Sequence, residues 1–264
     1  MKRQIHQFDN GVLVFDDHLT VGQRERYLKH NLHEPVEEEL FLKQIQNLPD
    51  DSVYLNIGCA IGYYLILAYK ERPDLRFYAV EPLKRHRQCC QENLTLNGIN
   101  LEKITMFPYA VSDIPGSSLF LEKDFGSQLI PGRVSKPKKS TETSLLAWLK
   151  PSHLRARLFG SSDNSGNDIP VITVETKTLD QIVHQISETI HFLQMDIQGL
   201  ELAALRGGAV AIADSNIQKI LIGTHGGAIH QDCEKLLRSF NYHISYSECE
   251  VPEQPDGMLL ASLE

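Results

Sequence analysis

Between residues 53 and 111 the chain alternates short apolar runs with helix-length amphipathic stretches, and that alternation decides what it can fold into. "VYLNI" (53–57) is apolar and too short for a buried helix, which predicts a buried strand. Gly58 and Gly62 then bracket Cys59, Ala60 and Ile61. Beyond them Ile61, Tyr64, Leu65 and Ala68 recur at helical spacing until Pro73 ends the run. "RFYAV" (76–80) predicts a second strand, ending at Glu81-Pro82. Residues 83–97 predict an amphipathic helix closed by Asn97-Gly98. "ITMFPYAV" (104–111) predicts a third strand, with Ser112-Asp113 at its end. Such βαβαβ order with short links specifies an α/β fold: a mostly parallel, Rossmann-like sheet with helices on both faces.

The rhythm resumes in the second half. "VITVETKTLDQIV" predicts a strand to about Glu175 and a helix capped near Thr178. "IHFLQMDI" (190–197) predicts a buried strand, followed by the helix "GLELAALRGG". "IQKILIGTH" (217–225) predicts another, with a helix over 229–239. "YHISYS" and "GMLLAS" predict an edge hairpin, bringing the sheet to seven strands. Two segments break the pattern. Residues 1–48 form an N-terminal helical cap segment, in which "HEPVEEELFLKQI" starts a helix at Pro35 with Glu37 to Glu39 near its positive end. Residues 124–169 form a long connection read as a lid inserted in the main domain, 49–264.

Composition excludes several classes. At 264 residues with 42% apolar and 23% charged residues, the chain is a soluble globular protein. No apolar run approaches the ~20 residues that cross a bilayer. "MKRQIHQFDN" lacks the apolar core of a signal peptide, and five cysteines without a CxxC pair fit free thiols, so a cytoplasmic location is expected. The net charge of −8 argues against nucleic-acid or anionic-membrane partners. The basic run "PGRVSKPKKS" (131–140) is read as a solvated loop. Oligomeric state has no signature.

The candidate site follows from the fold. Ligands of an open α/β sheet lie beyond the carboxyl ends of its strands, where Asn56, Glu81, Ser112, Asp113, Asp196 and His225 are expected to share one edge. Gly58 and Gly62 allow close backbone approach at the first turn. Glu81, 23 residues after Gly58, suits a carboxylate that accepts both hydroxyls of a ribose. The turn reads G-x-x-x-G, without the G-x-G-x-x-G that cradles a pyrophosphate. That favours S-adenosyl-L-methionine over a nicotinamide dinucleotide. Asn56, Gly58, Cys59, Ala60, Gly62, Glu81, Pro82, Ser112 and Asp113 are the candidate cofactor contacts.

Here the chain resembles the FkbM-type methyltransferases, within the class I S-adenosylmethionine-dependent superfamily. The matching segments are "LNIGCAIGYY", "FYAVEP", "NLTLNGI", "PYAVSD", "VETKTLDQI", "FLQMDIQGLELAALRGG" and "IGTH", spanning about residues 50–245. Asp196, Gly199 and Glu201 stand in register with the family's most specific signature. Asn56 replaces the usual aspartate, Cys59 a small residue, and Gln198 a glutamate. The resemblance implies O-methylation of a hydroxyl on a sugar, a glycan, or a glycosylated or polyketide small molecule.

A hydroxyl acceptor needs its proton removed. Asp196 is the first candidate for that base, with His225 on the same edge and His33 and Glu34 folding over from the cap. The alternative for Asp196 is a cap on the helix near Gly199, placed second because the family signature centres on Asp196. For His225 a surface histidine in a Gly-rich loop is an equal alternative. On residue type alone His33 and Glu34 suit a cap better. Asp196, His225, His33 and Glu34 also suit a divalent metal, which spacing does not support, so the metal stays open. Two rival readings are a nicotinamide-dependent oxidoreductase and a binding module that keeps the fold without chemistry.

Overall fold

The computed structural model describes residues 3–121, 128–130, 171–252 and 254–263. A short hairpin, β1 (Ile5–Gln7) and β2 (Leu13–Phe15), comes first, so the N-terminal segment is not purely helical. Asn93 and Asn97 side chains accept from the Phe15 and Leu13 amides at 3.0 and 3.1 Å, fastening the hairpin to a helix of the main domain. Helix α1 (Val21–Tyr27) starts with a Thr20–Gln23 capping box. Helix α2 (Pro35–Gln46) starts with Pro35 in its first turn, as its sequence predicts.

The alternation then runs β3 (Val53–Ile57), α3 (Tyr63–Glu71), β4 (Arg76–Val80), α4 (Lys84–Leu96) and β5 (Ile104–Phe107). It continues with β6 (Ala110–Val111), β7 (Gly116–Leu121), β8 (Gln128–Ile130) and β9 (Val171–Lys177). Next come α5 (Leu179–Ile186), β10 (Phe192–Met195), α6 (Glu201–Gly207) and α7 (Ala209–Ala213). The chain closes with β11 (Lys219–Thr224), α8 (Gly227–Ser239), β12 (His243–Glu248) and β13 (Gly257–Ser262).

Seven strands form the main sheet in the order β12-β13-β11-β10-β3-β4-β5. β13 is antiparallel to both neighbours and the other pairs are parallel. Strand residues alternate between two apolar layers. Tyr54 and Phe192 pack with Phe41 and Leu65 on one face, under α2 and α3. Leu55, Leu193 and Ile220 pack with Ile182 and Leu205 on the other, under α5 and α6. From β3 the chain first builds outward through β4 and β5, then returns to place β10 on the opposite side. The ends of β3 and β10 therefore form the switch point where open α/β sheets bind ligands.

One strand differs from expectation. Residues 104–111 divide into β5, in the main sheet, and β6, which joins β9 in a second sheet of order β6-β9-β7-β8. Pro108 lies between them and has no N–H to continue the ladder. The expected lid at 124–169, with the basic run 131–140, lies outside the described residues except for β8. Among the described residues no helix is long and apolar enough to cross a membrane.

Candidate active site

The turn after β3 is built from left-handed backbone. Gly58, Ala60 and Gly62 have φ of 86°, 45° and 87°. Gly58 also has no room for a side chain, because a Cβ there would stand 1.9 Å from the Asp196 carbonyl oxygen. At Gly62 it would meet Cys90 Sγ at 2.6 Å. Both glycines are thus required by the protein's own packing. Ligand approach is not needed to explain them.

Glu81 completes this turn. Its Oε2 accepts from the Ala60 amide at 3.1 Å and its Oε1 from the Leu83 amide at 2.9 Å. The carboxylate is buried and ties the glycine turn to the start of α4. Arg87 donates to the Glu81 and Pro82 carbonyls. Cys59 is buried beside Cys90, which with burial pushes its thiol well above the ordinary range.

Asn56 belongs to a different group. Its amide donates to Gln194 Oε1 at 2.7 Å, as does the Tyr54 hydroxyl, and Gln194 Nε2 donates to Glu37 Oε1 at 2.6 Å. Asn56 therefore faces α2, in a buried chain of neutral side chains ending on a carboxylate. An aspartate here would set a second carboxylate against the Gln194 oxygen, near Glu37, which gives the family departure a local reason.

Across the switch point lies an acidic group. Asp196 follows β10 and His225 follows β11. Glu201 opens α6, fully buried, and accepts from the Gly199 amide at 3.0 Å. Asp256 precedes β13. A Cβ on Gly257 would meet Thr224 Oγ1 at 2.7 Å, so the glycine lets β13 close on β11 and carry Asp256 to His225. His225 Nδ1 is 2.8 Å from Glu201 Oε1. Its Nε2 is 3.0 Å from Asp256 Oδ1 and 3.6 Å from Asp196 Oδ1. Burial opposes charge on His225, but Asp256, Glu201 and Asp196 outweigh it and raise its pKa to about 10. Burial and Asp256 raise Asp196, against the pull of His225.

The cap reaches this group through Glu34. This residue occupies the N-cap position of α2 without making a side-chain cap, and its Oε1 stands 3.7 Å from Arg26. Burial, then Glu37, Asp196 and Asp256, push Glu34 well above the carboxylate range. His33 takes another course. Its Nδ1 meets the Tyr27 hydroxyl at 2.5 Å, its amide donates to Glu38 at 2.6 Å, and its ring lies against Tyr63 and Tyr64. Burial lowers its pKa to about 3, so it is neutral and holds the cap together.

Ser112 and Asp113 depart from the expected edge. They follow β6 in the second sheet, and the Ser112 carbonyl lies against Gly207, at the far end of α6. One member of this group, Asp256, and the end of the Asn56 chain, Glu37, escaped the sequence reading. Asp256 had a usable signal, since an antiparallel last strand begins where its parallel neighbours end. Glu37 had none beyond an acidic helix start.

Strand order, a glycine turn after β3 and an acidic residue ending β4 define a class I methyltransferase fold. The crystal structure of the methyltransferase FkbM from Methylobacillus flagellatus KT shares it, with a TM-score of 0.53 at 18% identity over 94% of this chain and 56% of that one. The model of the methyltransferase FkbM domain matches residues 56–244, and the chain belongs to that methyltransferase family. Among curated proteins, the AMB antimetabolite synthetase AmbE of Pseudomonas aeruginosa is 23% identical over 228 residues. The match takes in 78% of this chain and 10% of AmbE.

Proposed function

We propose that this chain transfers the methyl group of S-adenosyl-L-methionine to a hydroxyl oxygen of a sugar, glycan, or glycosylated or polyketide small molecule. The observation that carries the reading is the junction at the switch point, where the Asp196 carbonyl lies against Gly58 and its carboxylate faces His225. A donor on the glycine turn and an acceptor on the acidic group would meet there. The net charge of −8 supports a small-molecule or carbohydrate acceptor over nucleic acid or an anionic membrane. Free thiols support a cytoplasmic setting.

When bound, the donor supplies an electrophilic methyl carbon on a sulfonium that leaves as a neutral thioether. Glu81 fits its ribose, since a carboxylate has about four lone-pair sites and two are engaged by backbone amides. Asp196 takes the acceptor proton, because burial and Asp256 raise its basicity above that of an ordinary carboxylate. Without a cation in the group, three carboxylates hold His225 protonated, and in that state it positions Asp196 and is no base. Tight packing around Gly58 fixes the distance between the two halves.

Titration calorimetry of the whole chain with S-adenosylhomocysteine and NAD tests the donor, and heat only with NAD would reject it. Transfer is tested with isotopically labelled donor and a metabolite extract, read by mass spectrometry. Asp196→Asn should lower single-turnover transfer by roughly 10²-fold or more, the usual contribution of a general base, while donor affinity persists. Near-normal transfer in a folded Asp196→Asn protein would remove Asp196 from that role.

A further inference from the structure

The acidic group holds more acceptor atoms than the protein satisfies. Asp196, Glu201 and His225 each offer a ligand atom, and these lie within 4.8 Å of one another. Asp256 Oδ1 adds a carboxylate oxygen 3.0 Å from His225 Nε2. Glu201 is the independent sign that something belongs among them. Its side chain is 0% exposed, its Oε1 is engaged, and its Oε2 has no hydrogen-bond partner. His225 Nε2 is likewise buried and aligned with no acceptor, although two carboxylate oxygens stand close. Glu34 adds a buried oxygen, Oε2, in the same condition. An orphaned buried carboxylate oxygen is costly, and a cation among these atoms would remove that cost.

We infer that Asp196, Glu201, His225 and Asp256 bind one hard divalent cation of the Mg²⁺ or Mn²⁺ class. Three carboxylates and one imidazole favour this class, because oxygen donors suit Mg²⁺ and Mn²⁺ while the single nitrogen tilts the set toward Mn²⁺. The ion takes the place of the His225 proton, which leaves to solvent as the neutral ring nitrogen ligates. The protein prepares the site: the Gly199 and Ile197 amides, 3.0 and 3.4 Å from Glu201 Oε1, hold that carboxylate by its other oxygen. The inference deepens the methyl-transfer reading and rests on it for its purpose: beside Asp196, the cation would bind the acceptor oxygen and make its proton easier to remove.

The test uses the full chain, stripped with chelator and titrated with Mn²⁺ while electron paramagnetic resonance counts free aqueous ion. The expected result is a single saturable Mn²⁺ per chain, displaced by excess Mg²⁺. His225→Gln and Asp256→Asn should each weaken it by roughly tenfold or more, and the surface variant Glu102→Gln should bind as the parent does. Absence of saturable binding to the parent chain would overturn the inference, even if the variants fail to fold. Equal binding by folded His225→Gln and Asp256→Asn proteins would overturn it too. Calorimetry with S-adenosylhomocysteine in chelator separates the two readings. Binding of S-adenosylhomocysteine without Mn²⁺ binding rejects the metal alone, and Mn²⁺ binding without it rejects the donor alone.

Discussion

The two sides of the switch point are built on opposite plans. On the β3–β4 side, polar demands are met by backbone: Glu81 takes the Ala60 and Leu83 amides, and three positive φ angles shape the turn around it. On the β10–β11–β13 side, side chains face side chains, and buried atoms of Glu201, His225 and Glu34 are left without hydrogen bonds. At the glycine turn and Glu81 the first side is finished as it stands, although the Tyr64 hydroxyl, at the start of α3, is buried without a partner. The second is an arrangement of charge that still lacks a partner. A protein that stores unsatisfied polar atoms does so at some cost in stability, and such sites concentrate where ligands bind.

The sharpest way to break the contrast is at Gly58, where the two sides touch. Gly58→Val puts a branched Cβ 1.9 Å from the Asp196 carbonyl oxygen, at a φ of 86°. Backbone cannot yield as a side chain can, so the expected loss exceeds about 4 kcal/mol, in the range of the most damaging substitutions. Gly62→Ala should cost less, because its obstacle is the Cys90 sulfur, part of a movable side chain. Thermal melts of both variants check the order. A Gly58→Val protein as stable as Gly62→Ala would show that the two loops are free to separate.

Glu81 comes next. Glu81→Ala strands the Ala60 and Leu83 amides, each worth about 1–3 kcal/mol when left buried and unpaired. Because the same carboxylate is offered to the ribose, affinity for S-adenosylhomocysteine should also fall by roughly tenfold or more. Glu81→Gln separates the two losses, since its remaining oxygen still accepts one amide. A denaturant curve and a calorimetric titration on each variant suffice. Full stability in Glu81→Ala would contradict the finished character of that side.

The contrast also explains what the residues disclose on their own. The β3–β4 side is local: strand, glycine turn, helix, strand and acid follow one another within residues 53–81, and periodicity alone exposes them. Thr178 and Gln181 form the capping box that starts α5, again a local signal. The acidic side draws on residues far apart in the chain. Asp196, His225 and Asp256 meet only because β10, β11 and β13 are neighbours in the sheet. Glu34 joins them only because α2 packs over the same face as Tyr54 and Phe192. Ser112 and Asp113 misled for a related reason: an unbroken apolar run hid the exit at Pro108, where the chain leaves one sheet for another. The partner of Asn56 within the protein, Gln194, is set beside it only by strand register, which the sequence does not display.

The smallest expected effect concerns pH and the cap. Glu34 and Glu37 are held above the carboxylate range, chiefly by burial. The folded chain therefore keeps protons that the unfolded chain releases once pH exceeds its ordinary value near 4.5. With fewer protons bound unfolded than folded, stability must fall as pH rises from there through the raised folded values. Each unit of displacement is worth about 1.4 kcal/mol. Every kcal/mol corresponds to about 2–4 °C for a chain of this size. His33 slopes the other way, since its pKa of about 3 makes protonation of the unfolded imidazole cost stability only below pH 6.5. Above that value His225, raised to about 10 by its carboxylate neighbours, and Asp196, raised to about 8 by burial and Asp256, slope the same way as the two acids. Melting points of the parent should therefore decline between about pH 6.5 and 8.5, and a Glu34→Gln, Glu37→Gln double variant should remove part of the decline, leaving the share of His225 and Asp196. A variant slope equal to the parent's would mean that both carboxylates ionise freely under the cap, and that this part of the acidic side is as well satisfied as its neighbour.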